Sequence, residues 1–563
     1  MALDQEQLKR ELLAAELITE DQFSSAVARA REHHTSVEQE LVEAELVSDE
    51  NLGQIIADLY SVPYVNVTTK QIPDSVLRVI PELVAKRQRL LAFEQTGDGL
   101  KVAMVDPTNE ELKYFIEKKT GHRVIPHYTT VRNINDALKF YRKELTEAFD
   151  DIIQHNVAAA QGTPAANREL PITRIVDTIL HYAYENKASD VHIEPHEESV
   201  VIRFRIDGIL HDVVTLPKEL HAFIITRIKI MAKLRTDEHR AAQDGRLDFP
   251  TEDEQVDVRV SVIPVSDGEK VVMRLLTEKS RQFSLVELGM NESDMRKLEL
   301  TVRRPHGMIL ATGPTGSGKT TTLYALLKIL NTREVNISTI EDPVEYDIDG
   351  VNQIQVDSKT NLTFALGLRS ILRQDPDIVM VGEIRDEETA SIAINAAMTG
   401  HLVLSTLHTN DAPTTLPRLL DMKIEPFLIA STVNVALAQR LVRKIHRGCI
   451  ESYTPDSVEL SRYASLLGEA RAQAIGFSEK GFRLYRGKGC ALCNNTGFEG
   501  RVGIFEVLEM TERIRQLIMQ RANSDVIRQA AIAEGMSTML DDGLEKAKRG
   551  ITTVDEVLRA ANT

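Results

Sequence analysis

Eight consecutive residues near the middle of the chain read Gly313-Pro314-Thr315-Gly316-Ser317-Gly318-Lys319-Thr320. An apolar run at 308–311 precedes them, and a helical pattern follows from Thr321. In a glycine-rich loop between a strand and a helix, backbone N–H groups bind phosphate, the lysine reaches the β and γ phosphates, and the threonine after it, here Thr320, ligates Mg²⁺. The motif therefore predicts a nucleoside triphosphate site at 313–321. The alternative is a glycine-rich turn that binds nothing.

Strands and helices alternate around this loop. The apolar runs lie at 307–312, 336–340, 377–382 and 401–406, and stretches of helical character lie between them at 321–330 and 387–398. Such alternation is typical of a parallel sheet that helices cover on both faces. The sequence therefore predicts an α/β domain at 291–563, whose C-terminal segment is mainly amphipathic helix.

Two acidic side chains and a histidine follow three of these strands. Glu345 comes after the strand at 336–340, Glu383 after the strand at 377–382 and His408 after the strand at 401–406. The carboxyl ends of parallel strands share one edge of the sheet, and ligands bind at that edge. Carboxylates there can arrange an attacking water and a metal ion, and a neutral imidazole can contact the γ-phosphate. Taken singly, the alternatives are a solvated Glu345, an ion pair between Glu383 and Arg385, and a core histidine at 408.

With these motifs the sequence resembles the ATPases of type II secretion and type IV pilus assembly, which are the general secretion pathway E-type and pilus extension motors. The family's aspartate-rich box, Walker B segment and histidine box occur in the family's order: TIEDPVEYDIDG (339–350), RQDPDIVMVGEIRD (373–386) and TGHLVLSTLHTND (399–411). The resemblance implies a RecA-like domain that hydrolyses ATP with Mg²⁺. It also implies that Glu345 is the catalytic base, Glu383 the Walker B glutamate and His408 the histidine-box sensor.

An α+β domain is predicted at 171–290, ahead of the ATPase domain, and the resemblance includes it. The matching stretches are ASDVHIEP (188–195), QDGR (243–246) and GEKVVMR (268–274). The family works as a hexameric ring in which this domain approaches the nucleotide. The resemblance therefore implies that Arg259 and Arg274 reach the γ-phosphate, because a guanidinium fork suits triphosphate charge; the alternative for both is a surface ion pair. Further arginines that match the family are Arg369, Arg373 and Arg385, for which the resemblance leaves contacts at a subunit interface and contacts with the nucleotide equally open.

Two residue pairs with metal-ligand spacing lie towards the C-terminus. Cys490-Ala491-Leu492-Cys493 has the spacing of a zinc knuckle, and His446-Arg447-Gly448-Cys449 repeats it. The sequence therefore predicts one structural Zn²⁺ bound by His446, Cys449, Cys490 and Cys493 at the ends of an insertion, 446–493. In the family that the chain resembles, this site usually has four cysteines, so His446 stands where a cysteine is expected. The alternative is three buried thiols and an exposed histidine.

A repeat with a period of 29 residues occupies 1–62, where Ala15-Glu16-Leu17-Ile18 recurs as Ala44-Glu45-Leu46-Val47. Its apolar spacing predicts two helical hairpins, followed by a small α+β domain at 63–145 and a linker at 146–170. The repeat resembles the cyclic-di-GMP-binding repeats that precede many of these ATPases. Gln7-Leu8-Lys9 and Ser36-Val37-Glu38 replace the Arg-Leu-Gly of that signature, and Ala30 and Leu59 replace its closing glutamines. Because the first 50 residues carry four basic and 13 acidic side chains, we expect a partner-binding module that does not bind cyclic-di-GMP.

Composition narrows the function classes. The 563 residues have a formal net charge of −17, 5% aromatic residues and no Trp, which disfavours nucleic-acid binding. The N-terminus has no basic region followed by an apolar run, and no stretch approaches the ~20 apolar residues of a membrane span, so the sequence predicts a cytosolic protein.

The sequence therefore predicts a cytoplasmic homohexameric ATPase that powers pilus or pseudopilus assembly. Its expected partners are an inner-membrane platform protein and cytoplasmic assembly proteins, which would hold it at the membrane periphery. A pilus retraction motor is the first alternative, and the long N-terminal region and the metal-binding insertion disfavour it. A RecA-like nucleic-acid translocase would have basic loops, whereas the basic residues here are dispersed. A scaffold that binds ATP without hydrolysis would be expected to lose Glu345 or Glu383.

Overall fold

The computed structural model describes residues 5–141 and 172–561, except 34, 45, 71, 252–253, 278–283, 358, 469–470, 474–475, 477–481 and 494. The linker predicted at 146–170 lies outside the described residues. The chain divides into two compact units: residues 1–148 with the short turn Cys490–Asn495, and residues 149–489 with 496–563. Among the described residues, no helix combines the length and the apolar character that crossing a bilayer requires.

Four helices begin the first unit: α1 (Gln5–Ala14), α2 (Glu20–His33), α3 (Val37–Glu43) and α4 (Asp49–Leu59). The Ser48 hydroxyl accepts a hydrogen bond from the Asn51 N–H at 3.1 Å and caps α4. One apolar core contains Leu8, Phe23 and Leu52 and joins the four helices. The helices therefore lie where the repeat of 29 residues predicts them.

A three-stranded sheet completes the first unit. Its order is β1-β2-β3, in which β1 is antiparallel to β2 and β3 is parallel to it. The elements are α5 (Asp74–Leu77), α6 (Glu82–Gln88), β1 (Leu90–Thr96), β2 (Gly99–Met104), α7 (Glu110–Thr120), β3 (Val124–Tyr128) and α8 (Val131–Ala137). This is the small α+β fold that the sequence predicts for this region.

The second unit begins with a six-stranded antiparallel sheet of order β6-β5-β4-β9-β8-β7. Its elements are α9 (Ile172–Glu185), β4 (Asp190–Pro195), β5 (Ser199–Ile206), β6 (Ile209–Pro217), α10 (His221–Met231), β7 (Gln243–Pro250), β8 (Gln255–Val265) and β9 (Gly268–Leu276). Buried and half-buried positions alternate along β5 and β8, as expected for strands with one apolar face. Arg259 lies on β8 at one of the half-buried positions.

The remainder of the second unit contains the phosphate loop. Its elements are α11 (Glu292–Val302), β10 (Gly307–Thr312), α12 (Lys319–Leu330), β11 (Ile337–Glu341), β12 (Val351–Gln355), α13 (Phe364–Ile371), β13 (Ile378–Val381), α14 (Glu387–Met398), β14 (Leu402–Leu407), α15 (Ala412–Asp421), α16 (Pro426–Thr432), β15 (Val433–Ile445), β16 (Ile450–Tyr453), α17 (Ser457–Leu467), β17 (Leu484–Gly487), β18 (Phe498–Glu509), α18 (Glu512–Met519), α19 (Ser524–Ala533), α20 (Met539–Lys548) and α21 (Val554–Ala561).

Seven of these strands form one sheet of order β12-β11-β13-β14-β10-β15-β18. Neighbouring strands are parallel, except that β18 is antiparallel to β15. Helices cover both faces: Leu323 of α12 packs in the core on one face, and Ala393 of α14 in the core on the other. The predicted α/β domain and its four strands β10, β11, β13 and β14 are confirmed. The strands β12, β15 and β18 were not among those predicted.

Candidate functional site

The phosphate loop connects β10 to α12 through glycines whose positive φ angles disfavour any other residue. Gly313 and Gly318 have φ angles of 143° and 90°. A Cβ atom at Gly313 would lie 2.6 Å from the backbone carbonyl oxygen of Gln439. A Cβ atom at Gly318 would lie 2.9 Å from the side-chain amide nitrogen of the same residue. The backbone therefore takes a conformation that leaves its N–H groups unobstructed by side chains.

Lys319 lies over this loop. Its Nζ donates hydrogen bonds to the carbonyl oxygens of Gly313 at 2.8 Å and Pro314 at 3.0 Å. Burial lowers the pKa of Lys319, and the negative charge of Glu383 acts in the opposite direction. The predicted phosphate-binding lysine and the predicted Walker B glutamate are thus close enough to interact electrostatically.

A buried glutamine supports the loop from the neighbouring strand. Gln439 lies on β15 and is 2% exposed. Its side-chain amide nitrogen donates to the backbone carbonyl oxygen of Ser317 at 2.7 Å, and its side-chain oxygen accepts from the Thr322 hydroxyl at 2.7 Å. Gln439 therefore fixes both the loop and the first turn of α12. The only sequence signal for this contact is an amide in an otherwise apolar run, and it was not singled out.

The histidine box is tied to the strand that carries the phosphate loop. The hydroxyl of Thr312, at the end of β10, accepts from the Thr409 N–H at 3.0 Å. The same hydroxyl can donate to the carbonyl oxygen of Leu407, also at 3.0 Å. The segment around His408 is therefore held against the edge of the sheet where the phosphate loop begins.

Glu383 and His408 meet at this edge. The Nε2 atom of His408 lies 3.2 Å from one carboxylate oxygen of Glu383, and Arg385 forms an ion pair with the other oxygen. Half of the His408 side chain is exposed. The alternative of a Glu383–Arg385 ion pair is thus correct but does not exclude the contact with His408, and the alternative of a core histidine is wrong.

Glu345 contacts an arginine of the six-stranded sheet. Its carboxylate lies 3.0 Å from Nη1 of Arg259, and Nη2 of the same guanidinium donates to the carbonyl oxygens of Val344 and Glu345. The structure therefore brings the predicted catalytic base and the first predicted arginine together. Glu345 is one-third exposed, so water has access to it.

Arg259 belongs to a row of charged residues across the six-stranded sheet. Arg246, Arg259 and Arg274 are register partners on β7, β8 and β9, and Arg274 is in turn opposite Asp190 of β4. Like charges directly opposite one another in a sheet repel. Arg274 forms an ion pair with Asp190 at 3.0 Å, whereas Arg246 donates to the side chain of Gln355 at 3.3 Å. Arg274 thus has the ion pair that was its alternative, and Arg246 of the QDGR motif is a further candidate that was not singled out.

The other predicted arginines lie on or near α13. Arg369 forms an ion pair with Glu388 at 2.7 Å. Arg373 donates to the backbone oxygen of Arg369 at 3.0 Å and to the Ser370 hydroxyl at 3.1 Å. The side chains of these two residues therefore have partners on or beside their own helix.

A family model described as Type II/IV secretion system protein matches residues 165–559. The chain belongs to this family. The Type IV pilus assembly ATPase PilB of Myxococcus xanthus (strain DK1622) is 38% identical over 564 residues, which are 97% of this chain and 98% of PilB. The Type II secretion system protein E of Xanthomonas campestris pv. campestris is 41% identical over 526 residues, 91% of each chain. The ATPase DotB of Yersinia pseudotuberculosis has the same fold, with a TM-score of 0.51 and 20% identity over 69% of this chain and 93% of DotB.

As a member of the type II/IV secretion system protein family, the chain is an ATPase, and ATP and Mg²⁺ are the cofactors that suit its phosphate loop. A second model, the MshEN domain, matches residues 60–147. That match covers the three-stranded sheet of the first unit. The helices at 1–62, on which the resemblance to cyclic-di-GMP-binding repeats rests, lie outside that match except for residues 60–62.

The four predicted metal ligands of this ATPase lie together. The ligand atoms of His446, Cys449, Cys490 and Cys493 are all within 4.8 Å of one another. The two sulfur atoms of Cys490 and Cys493 are 3.7 Å apart. Two thiolates bound to a tetrahedral Zn²⁺ at ~2.3 Å would be separated by ~3.8 Å, so the donor set and its spacing are compatible with structural zinc. His446 is buried, which contradicts the alternative of an exposed histidine.

Loss of the zinc ligands is expected to affect the insertion and not the nucleotide site. Elemental analysis should find about one zinc per chain, and a Cys490→Ser, Cys493→Ser variant should lose it. The variant should become more sensitive to protease between 446 and 500, because the metal joins the two ends of the insertion. Its ATP affinity should stay within about twofold. Inside the insertion, Tyr463, Leu467 and Leu484 share an apolar core with α20 and α21. His446→Cys is the matched control and should keep the metal. A metal-free wild-type protein with an equally protected insertion would contradict the assignment.

Proposed function

We propose that the chain is a hexameric motor that powers assembly of a pilus or pseudopilus from the cytoplasmic face of the inner membrane. The observation that carries the proposal is the contact of Arg259 with Glu345 at 3.0 Å. A γ-phosphate would compete with Glu345 for this guanidinium, because both are anions that suit its fork. The domain at 171–290 would then move relative to the domain at 291–563 in each cycle of turnover, which is how a motor converts hydrolysis into motion.

Each site residue has a role in this proposal. The loop at 313–321 and Lys319 hold the phosphates, and Thr320 with Glu383 arranges Mg²⁺. Glu345 takes the proton of the attacking water. His408 responds to the γ-phosphate through its contact with Glu383. Arg259 and Arg274 offset the charge that develops on the transferred phosphoryl group.

The names of the relatives support both pilus assembly and type II secretion. The Myxococcus relative is named for type IV pilus assembly and the Xanthomonas relative for type II secretion, and each aligns over nearly all of its own length. We propose an inner-membrane platform protein and cytoplasmic assembly proteins as the partners, with the helices at 1–62 as a docking module. Light scattering should give a mass of six times 63.0 kDa in the presence of ATP if the ring is hexameric.

Deletion and complementation would test the function and separate the two machines. We expect a strain that lacks this gene to lose either surface pili, counted by electron microscopy, or secreted enzymes, assayed in the medium. The wild-type gene should restore the lost function and the Lys319→Ala allele should not, because Lys319 binds the phosphates. An excess of pili in the deletion strain would instead indicate a retraction motor. Intact pili together with intact secretion would refute the proposal.

We also propose that the N-terminal helices do not bind cyclic-di-GMP. Ala30, which stands at a closing-glutamine position, is buried in the core of the four helices, and a methyl group offers no hydrogen bond to a guanine base. Calorimetric titration of the full chain with micromolar cyclic-di-GMP should give no saturable heat. Titration of the same sample with ATP is the positive control. A saturable signal from cyclic-di-GMP would show that other residues form a site.

A further inference from the structure

Tyr324 is a fully buried tyrosine on the phosphate-loop helix. It lies on α12, about one helical turn after Thr320, and its exposed fraction is 0%. Its ring packs edge to face against Tyr346, with ring centroids 4.7 Å apart and an interplanar angle of 87°. A buried hydroxyl must find hydrogen-bond partners, and those of Tyr324 lie in the aspartate-rich box or within a few residues after it.

The first partner is the buried carboxylate of Glu341 at the end of β11. The Tyr324 hydroxyl donates to one of its oxygens. The other oxygen accepts from the Thr339 hydroxyl at 2.5 Å and from the Gln353 amide at 3.2 Å. Burial raises the pKa of Glu341, and these three donors act against that rise. The carboxylate therefore fixes the direction in which the Tyr324 O–H bond points.

With its proton directed at Glu341, the Tyr324 oxygen can accept hydrogen bonds on its other side. The backbone N–H of Glu345 lies 3.4 Å from it, and the Gln353 amide lies 3.3 Å from it. Gln353 also donates to the Tyr346 carbonyl oxygen at 3.1 Å and accepts from the Ile348 N–H at 2.7 Å. The Tyr324 hydroxyl and the Gln353 side-chain amide thus hold the loop that carries Glu345.

We propose that Tyr324 is a positioning residue for hydrolysis, because its hydroxyl links the phosphate-loop helix to the backbone of Glu345. The proposal rests on the proposed role of Glu345 as the base. A carboxylate that activates water must be placed to within a fraction of an ångström, and a displacement of ~1 Å can cost about 10²-fold in rate. The Tyr324 hydroxyl holds the base at a fixed distance from the helix that begins at the phosphates.

Tyr324→Phe tests the link, because it keeps the ring and its contact with Tyr346 and removes only the hydroxyl. We expect kcat to fall by about 10- to 100-fold while the KM for ATP changes by less than about twofold. The matched control is Tyr463→Phe, which removes another buried hydroxyl whose partners are Glu459 and Asp555 in the C-terminal region, each at 3.0 Å. The control should leave kcat unchanged. Equal values of kcat for Tyr324→Phe and the wild type would overturn the proposal.

Removing the hydroxyl also leaves Glu341 with one donor fewer, so the effect must be separated from simple loss of stability. Tyr324→Phe is therefore made again on a Glu341→Gln background, in which no buried carboxylate is left without its donor. The amide oxygen in this background can still accept from the Tyr324 hydroxyl and keep its direction, so if the hydroxyl acts on Glu345, the loss of kcat has the same size on both backgrounds. If the loss disappears on the Glu341→Gln background, the effect is structural and the proposal is wrong.

A second double-mutant cycle, with Glu345→Gln, distinguishes the positioning role of Tyr324 from the role of Glu345 as the base. On a Glu345→Gln background, Tyr324→Phe should cause no further loss of kcat, because a residue that acts through the base has nothing left to position. An additional loss equal to that in the wild type would show that Tyr324 acts elsewhere and would overturn the proposal. Normal turnover by Glu345→Gln alone would refute the base, and the positioning role would fall with it, whatever Tyr324→Phe does.

Discussion

Glu345→Gln is expected to bind ATP at least as tightly as the wild-type chain, because the γ-phosphate no longer competes with a carboxylate for Arg259, and to hydrolyse it about 10²–10⁴ times more slowly. The amide has the size of the carboxylate, and its oxygen can still accept a hydrogen bond from Arg259, which lies 3.0 Å from the carboxylate. It cannot take a proton from water, so the loss should fall on kcat alone. Nucleotide affinity and single-turnover phosphate release would measure the two quantities separately.

Lys319→Ala provides the contrast to this variant. Lys319 already contacts the loop carbonyl oxygens of Gly313 and Pro314. Its removal deletes the cation that faces the β and γ phosphates, so both affinity and turnover should fall. A Glu345→Gln variant that hydrolyses ATP at the normal rate would show that another group is the base.

Arg259→Ala should lower kcat by about 10³-fold, the scale of other arginines that contact a transferred phosphoryl group. Arg259 contacts the loop of Glu345 through its side chain only, and its strand β8 is paired on both sides, so the sheet should fold normally. Steady-state kinetics and circular dichroism would measure the two properties. Arg259→Lys should recover only part of the rate, because an ammonium group lacks the fork of donors.

Arg203→Ala is the matched control from the same sheet. Arg203 lies on β5 and forms ion pairs with Glu194 and Asp212, away from the row of Arg246, Arg259 and Arg274. Its removal should leave kcat unchanged. If Arg259→Ala also leaves kcat unchanged, Arg259 is only an ion-pair partner of Glu345. Arg274→Ala should have a smaller effect than Arg259→Ala, because Asp190 already holds the Arg274 guanidinium.

The sequence predicts the ATPase sheet best where the information is local. The strand β10 has the predicted bounds, 307–312, because an apolar run ends at a glycine whose function requires it. The strands β11, β13 and β14 agree with the predictions to within a residue or two. Parallel pairing then places Glu345, Glu383 and His408 on one edge, since the ends of parallel strands coincide.

The missed features depend on contacts between distant segments. The strand β15 reads VNVALAQRLVRKI, in which Gln, Arg and Lys interrupt the apolar pattern, so its place beside β10 is not apparent from its own residues. Gln439 and Ser317 are 122 positions apart in the chain. Tyr324 lies in a helix whose pattern predicts an ordinary core position. The hydroxyl that distinguishes it acquires a role only when β11 and β12 bring Glu341 and Gln353 beside it.

The two ends of the 13-residue strand β15 have different numbers of strand partners. From Val433 to Ala438 it pairs with β10, but beyond Ala438 its only strand partner among the described residues is β18. Gln439 is the first residue after the part of β15 that pairs on both sides. His446 follows the C-terminal end of the strand, seven residues or ~23 Å from Gln439. The His446 end of the strand is held without the metal as well, because it pairs with β18 and the Ile445 N–H donates to the Ile551 carbonyl oxygen at 2.9 Å. We therefore expect loss of zinc to raise the protease sensitivity of the insertion and to leave the affinity for ATP nearly unchanged.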